Sequence, residues 1–314
     1  MAGRNLYMKD FYCVKNNTWC IDTGRTLAGV YRLNDNDVVL LDTTMSYVEA
    51  ERKKFMRVIE EADLKVKAII ATHAHIDHIG NNEELIRRFG AEVYMYGAEA
   101  HICSDITSLR MQHTLVPYDD VIQKALRCMS STVHHFIEPG KRSVDICGHK
   151  FGIVHTPGHS LSHIAIVTPD NVGMIGDALM TENEIVKTKI PYASNFAVDF
   201  ATKRSLPDMN CDKYIISHRG IREELEYEIE ANIKYLKGRA DVVLSYIEDG
   251  MCFDDIAAAV INCMNIKIGN RYYFFDIHGM IMPYVQYLEE SGKITGYYEK
   301  GYVRYRVNDE HEDL

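Results

Sequence analysis

The chain has 314 residues, of which 46% are hydrophobic and 25% charged, the balance of an ordinary globular protein. That length allows one large domain, or one domain with a smaller companion. With 35 basic against 45 acidic residues the net charge is −10. Such a chain has no long-range attraction to phosphate backbones, which speaks against nucleic acid as a partner. The eight cysteines are scattered without a CxxC pair. No apolar stretch reaches the ~18 residues of a membrane span, and no secretory leader is visible. The expectation is a cytoplasmic protein with reduced thiols and no membrane contact.

Taken in chain order, Phe11 to Val14 and Thr18 to Ile21 read as strands about an Asn16-Asn17 turn. Gly29 to Leu33 and Val38 to Asp42 read as a hairpin through four Asn and Asp residues. Tyr47 to Ala62 predicts a helix, because Phe55, Val58 and Ile59 recur at helical spacing with charges opposite. An apolar strand, Val66 to Ala71, then stops in Thr72-His73-Ala74-His75-Ile76-Asp77-His78, before a helix that starts near Asn82. Ala91 to Tyr96 is a further strand. Residues 98–135 look mostly helical and are long for a connection, which suggests a lid or substrate wall. The histidines of that segment, His101, His113, His134 and His135, repeat no ligand spacing and read as surface or pocket residues.

Strand patterns resume at Val144 to Cys147 and at Lys150 to His155, followed by Thr156-Pro157-Gly158-His159. Pro-Gly forces a turn, so His159 also sits where a strand ends. Ile164 to Val167 and Val172 to Ile175 form a hairpin that leads into Gly176-Asp177, and Tyr214 to Ser217 leads into His218. Beyond Arg222 the texture changes. Helices are expected over Glu223 to Asp249, with a break near Gly238, over Phe253 to Met264, and over Gly279 to Ser291. A terminal hairpin follows at Ile294 to Tyr298 and Tyr302 to Val307, then a polar tail, Asn308 to Leu314, expected to be disordered.

Three imidazoles and a carboxylate within His73 to His78, at the end of a strand, suit zinc or a similar borderline divalent metal. Four separate strand-like runs end in His or Asp, and random scatter does not do that. HAHIDH, TPGHS, IGDAL and a last strand-end His, in this order and spacing, resemble the metallo-β-lactamase-fold hydrolases over roughly residues 10 to 220. The resemblance implies an αβ/βα four-layer sandwich of two mixed sheets with helices outside. It implies one metal held by His73, His75 and His159, and a second held by Asp77, His78 and His218, with Asp177 bridging the two. The expected cofactors are two divalent ions, zinc first, with iron or manganese also compatible. Two such ions about 3.5–4 Å apart can share a hydroxide that is nucleophilic at neutral pH. Asp77 and His163 are the candidate catalytic side chains, His163 as a proton donor to the leaving group or as a hydrogen-bonded support. Flavodiiron reductases resemble this fold but carry Glu at the position of His75 and add a flavin domain, so hydrolysis is favoured over redox chemistry.

The expected division is a catalytic domain over residues 1–222, with the 98–135 insertion near its site, and a mostly helical, winged-helix-like domain over 223–314. The expected activity is hydrolysis of a small ester, thioester or lactone, in the manner of hydroxyacylglutathione hydrolases. The alternatives are a phosphodiesterase or endoribonuclease, or a non-catalytic metal-binding relative. The C-terminal segment carries more acids than bases, which argues against a nucleic-acid-binding wing and for packing, homodimerisation or pocket closure. Relatives often have Gly-His-Gly around the last ligand. Here Arg219 follows His218, to meet an anionic substrate or to pair with Glu223 or Glu224. His155 reads as a supporting residue, and Lys187, Lys189 and Tyr192 as solvated loop residues.

Overall fold

The computed structural model describes residues 9–112 and 120–308. His113 and residues 309–314 of the expected disordered tail lie outside them. One sheet holds seven strands in sequential order: β1 Phe11–Lys15, β2 Thr18–Asp22, β3 Leu27–Arg32, β4 Asp37–Leu41, β5 Lys65–Ile70, β6 Glu92–Tyr96 and β7 His135–Ile137. Pairing is antiparallel from β1 to β4 and parallel from β4 to β7. The second sheet holds β8 Ser143–Ile146, β9 His149–His155, β10 Ile164–Val167, β11 Val172–Met174, β12 Lys213–Ile216 and β13 Gly220–Arg222.

The helices are α1 Glu49–Glu61, α2 Ile76–Ile79, α3 Asn82–Phe89, α4 Gly97–Cys103, α5 Ile106–Gln112, α6 Asp120–Met129, α7 Glu182–Ile185, α8 Phe196–Ser205, α9 Glu226–Leu244, α10 Phe253–Cys263 and α11 Arg271–Glu290. The hairpin β14 Ile294–Glu299 and β15 Tyr302–Val307 closes the chain.

The four layers follow from strand alternation. Along β4, Val39 and Leu41 turn inward to Ile153, Ile166, Met174 and Ile215 of the other sheet. Val38 and Leu40 turn outward to Phe55, Val58 and Ile59 of α1. The outer face of the second sheet, with Ala165, Tyr214 and Ile216, is covered by Ile229 of α9. Each such fully buried aliphatic side chain contributes roughly 1.5–3 kcal/mol.

Strand direction positions the site. In the second sheet β9 and β11 are both antiparallel to β10, and β12 is parallel to β11. Hence β9, β11 and β12 run the same way, and their carboxyl ends open on one edge. The chain leaves that edge into His159, Asp177 and His218. The carboxyl end of β5 supplies the residues from His73 onward.

The C-terminal helices form around Leu236, Ala240, Val243, Ile256, Ile281, Tyr284 and Leu288. That core also takes in Ile190, Ala193, Phe196 and Phe200, so packing crosses the boundary expected at residue 222. The helix α9 runs through Gly238 without a break. A helical glycine costs only about 1 kcal/mol, and the packed Leu236, Ala240 and Val243 outweigh it. The helix α11 starts eight residues before the expected Gly279, where the Asn270 side chain accepts from the Tyr273 N–H at 3.0 Å. The strands β7 and β13 and the helices α7 and α8 were not expected. Three are only three or four residues long, too short to show a period, and α8 has weak amphipathicity because its buried face includes Asp199, Thr202 and Lys203 while its exposed face carries Ala197, Val198 and Ala201.

Candidate metal centre

The strand ends bring the seven side chains together in two overlapping groups. His73, His75, His159 and Asp177 form one, and Asp77, His78, Asp177 and His218 the other, with donor atoms of each group within 4.8 Å of one another. Asp177 belongs to both. Its Oδ1 lies 3.1 Å from His78 Nε2, and its Oδ2 lies 3.2 Å from His218 Nε2 and 3.6 Å from His159 Nε2. His75 Nδ1 and His159 Nε2 approach to 2.9 Å. Asp77 is 3.6 Å from His218 and 3.9 Å from His78.

The buried polar atoms test whether a metal fits. His73 Nε2 is shut off from solvent with no hydrogen-bond partner among the described residues, and the equally buried His78 Nε2 and Asp177 Oδ1 face only each other, at 3.1 Å. Buried polar atoms are rarely left so, and all three face the cluster. Their opposite sides are fixed. The Asp42 carboxylate faces His78 Nδ1 at 2.7 Å and accepts from the Thr72 N–H at 2.7 Å and the Thr72 hydroxyl at 2.9 Å. The Asp42 contact places the His78 proton on Nδ1 and leaves Nε2 as the lone-pair donor. Thr72 Oγ1 also lies 3.1 Å from His73 Nδ1. The donor set and its supports therefore fit divalent metal.

Charge divides the two groups. Burial, reinforced by the neighbouring imidazoles of His78, His75 and His159, holds His73 well below the ordinary histidine range. Burial does the same to His159, with Asp177 opposing it. Burial also works against charge on His78, but Asp177, Asp42 and Asp77 outweigh it and raise that group. His218 is raised in the same way, its burial overcome chiefly by Asp177. Burial would lift Asp177, but His218 and His78 hold it well below the carboxylate range. His73 and His159 in one group are thus held neutral, while the other group concentrates carboxylates that attract a cation.

The turn carrying Asp177 has little freedom. Gly176 has φ +54, and a Cβ there would sit 2.5 Å from His163 Nε2 and 2.9 Å from Thr72 Oγ1. His163 itself is fully buried. Its Nε2 accepts from the Asp177 N–H at 3.1 Å, so its Nδ1 carries the proton and donates to Thr156 Oγ1 at 2.8 Å. Burial pushes its pKa down to about 3. Both nitrogens are occupied, so a proton-donor role toward a leaving group does not fit this geometry, whereas support of the Asp177 turn does.

Arg219 does not pair with Glu223 or Glu224. It reaches Asp22 at 3.3 Å. His155 braces the His159 loop from outside by donating to the Leu161 carbonyl at 2.9 Å. Among the insertion histidines, His134 accepts from the Val93 N–H, His135 pairs with Glu92, and His101 packs on Phe136. Lys187 pairs with Glu184. Lys189 donates to the carbonyls of Met264 at 2.9 Å and Asn265 at 2.6 Å, a tether to the C-terminal helices. Tyr192 is not a solvated loop residue. Its ring is 5.5 Å from that of His159 and 6.0 Å from that of His75. Sequence reasoning also missed Asp42, although it directly follows β4 as an Asp at a strand end, like Asp177 after β11.

Residues 21–218 match the model of the metallo-beta-lactamase superfamily. The chain belongs to that superfamily, and its class is that of the metal-dependent hydrolases. It is 25% identical over 183 residues to the hydroxyacylglutathione hydrolase GloC of Haemophilus influenzae, covering 58% of this chain and 82% of that one. It is 30% identical over 133 residues to the hydroxyacylglutathione hydrolase of Buchnera aphidicola, covering 42% of this chain but only 39% of the relative. In fold it is similar to a metallo-beta-lactamase family protein from Thermus thermophilus, with a TM-score of 0.67 at 18% identity over 90% of this chain and 94% of that one. A beta-lactamase domain protein from Burkholderia ambifaria matches with a TM-score of 0.66 at 18% identity, over 98% of this chain and 96% of that one. No helix among the described residues is long and apolar enough to cross a membrane.

Proposed function

We propose that the protein is a dinuclear metal-dependent hydrolase of a small ester, thioester or lactone. The observation that carries this reading is the sharing of Asp177, whose two oxygens face different imidazoles in two otherwise separate donor groups. His73, His75 and His159 would hold one ion, Asp77, His78 and His218 the other, with Asp177 common to both. Divalent ions held there, zinc first, would supply a water of lowered pKa and polarisation of a scissile carbonyl.

The chain's own residues hold that chemistry in place. Asp42 fixes the His78 tautomer, Thr72 sits between His73 and Asp42, and His163 anchors the Asp177 backbone. Tyr192 forms an aromatic wall beside His75 and His159. The similarity to hydroxyacylglutathione hydrolases favours an acyl substrate, and a thioester first. No serine or cysteine nucleophile is required.

The test is a panel of thioesters, lactones, phosphodiesters, β-lactams and RNA, offered to protein loaded with Zn²⁺, Mn²⁺ or Fe²⁺. Turnover of a thioester or lactone is the expected result. Hydrolysis of RNA alone would replace the acyl reading with the nuclease one.

A further inference from the structure

The helix α4 opens the 98–135 insertion, and its buried carboxylate Glu99 touches both loops that feed the first donor group. Its Oε2 accepts from the N–H of Ala74, the residue between His73 and His75, at 3.1 Å. Its Oε1 accepts from the hydroxyl of Ser160, the residue after His159, at 2.5 Å. Glu99 is only 9% exposed, so these are its means of satisfying a charge withdrawn from water.

A second tie lies one residue away. The Ala98 N–H donates to Ser162 Oγ at 3.1 Å. Gly97, at φ +57, allows that approach, since a Cβ there would meet the same oxygen at 2.8 Å. On the far side of these ties the imidazoles of His75 and His159 face each other at 2.9 Å. Two loops 84 residues apart in sequence therefore meet twice, once through their imidazoles and once through Glu99.

We infer that Glu99 is a positioning residue that sets the spacing of the His73-His75 loop against the His159 loop, and thereby the metal affinity of that half of the centre. The inference rests on the dinuclear reading above. Glu99 contacts none of Asp77, His78 or His218 through a hydrogen bond found among the described residues, so its effect is confined to one ion. Loss of an outer support of this kind costs about 10–100-fold in metal affinity.

The test is a Zn²⁺ titration of wild type, Glu99→Ala, Glu99→Gln, His75→Ala and His218→Ala against a chromogenic chelator. Co²⁺ absorption reports coordination, and circular dichroism the fold. Glu99→Ala should weaken by about 10–100-fold the same binding step that His75→Ala abolishes, and leave the step that His218→Ala abolishes unchanged. Glu99→Gln should restore most of it, because its amide oxygen can accept from Ala74 and its NH₂ can donate to Ser160 Oγ. Wild-type affinity in both steps of Glu99→Ala overturns the inference, as does equal weakening of both steps without rescue. Uptake of a single ion by wild type overturns the dinuclear reading instead, and the ratio of Glu99→Ala to wild type for that ion then judges Glu99 separately.

Discussion

The strand-end edge and the C-terminal helices are stabilised by opposite means. At the edge, His73, His78, Thr72, Asp42 and His163 are buried although polar, each engaged by a neighbour or aimed into the donor cluster. Among α9, α10 and α11 the buried residues include Leu236, Val243, Ile256, Ile281, Val285 and Leu288, and beyond the buried Glu228 and Asn232 near the start of α9 it is chiefly area removed from water that does the work. Chemistry therefore sits where individual atoms are specified. The C-terminal region supplies shape, for which many side chains of similar size suffice.

Breaking the edge has the largest expected effect. His73→Ala or Asp177→Ala should lose bound metal and reduce hydrolysis to background while the far-ultraviolet circular dichroism stays that of the parent. Metal analysis of the purified variants checks this, and full occupancy in both would sink the ligand assignment. A C-terminal core change such as Leu288→Ala should do the reverse. It should lose about 2–5 kcal/mol of stability with metal content unchanged.

A buried ion pair beneath the His159 loop tests whether polar specification also governs stability there. Lys203 Nζ lies 2.6 Å from both oxygens of Asp199, and both side chains are buried. Burial pushes the Asp199 carboxyl up, and Lys203 opposes that shift. Lys203→Met leaves the carboxylate without its partner and should cost about 3–5 kcal/mol in urea unfolding. The double variant Lys203→Met with Asp199→Leu should regain much of that loss.

The smallest effect probes the seam between the two regions. Tyr284 of α11 donates to the Pro191 carbonyl at 2.7 Å, next to Tyr192 at the site. Tyr284→Phe should cost about 1–3 kcal/mol and raise KM more than it lowers kcat, with metal content intact. A fall in bound metal would show that the seam sets the chemistry as well as the shape.

The same contrast explains what could be read from the chain. The donor residues were legible because strand, turn and ligand are adjacent in sequence, as in Val66 to His78 and Lys150 to His159. The layered fold was legible only through the family that those motifs resemble. Asp42 and Glu99 were not legible as supports, because they act on partners distant in sequence, with Asp42 meeting His78 at 36 residues and Glu99 meeting Ser160 at 61, and Thr72 gains its role only through Asp42, 30 residues away. The place of Tyr192 was not legible either, because nothing local distinguishes a tyrosine that overhangs a site from one in solvent. Packing that crosses the boundary expected at 222 was not legible, because Ile190, Ala193, Phe196 and Phe200 join a core whose other buried members start at Leu236, far along the chain.

Asp177 draws on partners that the chain reaches only after folding, from His78 on one side to His218 on the other. A denatured chain would hold these groups far apart and offer a divalent ion only weak, scattered sites. Mass action then makes cellular ion supply a determinant of melting temperature. An ion that binds only the folded form and is present at a thousand times its dissociation constant adds about 4 kcal/mol. Chelation would thus lower the stability of the folded protein as well as its turnover.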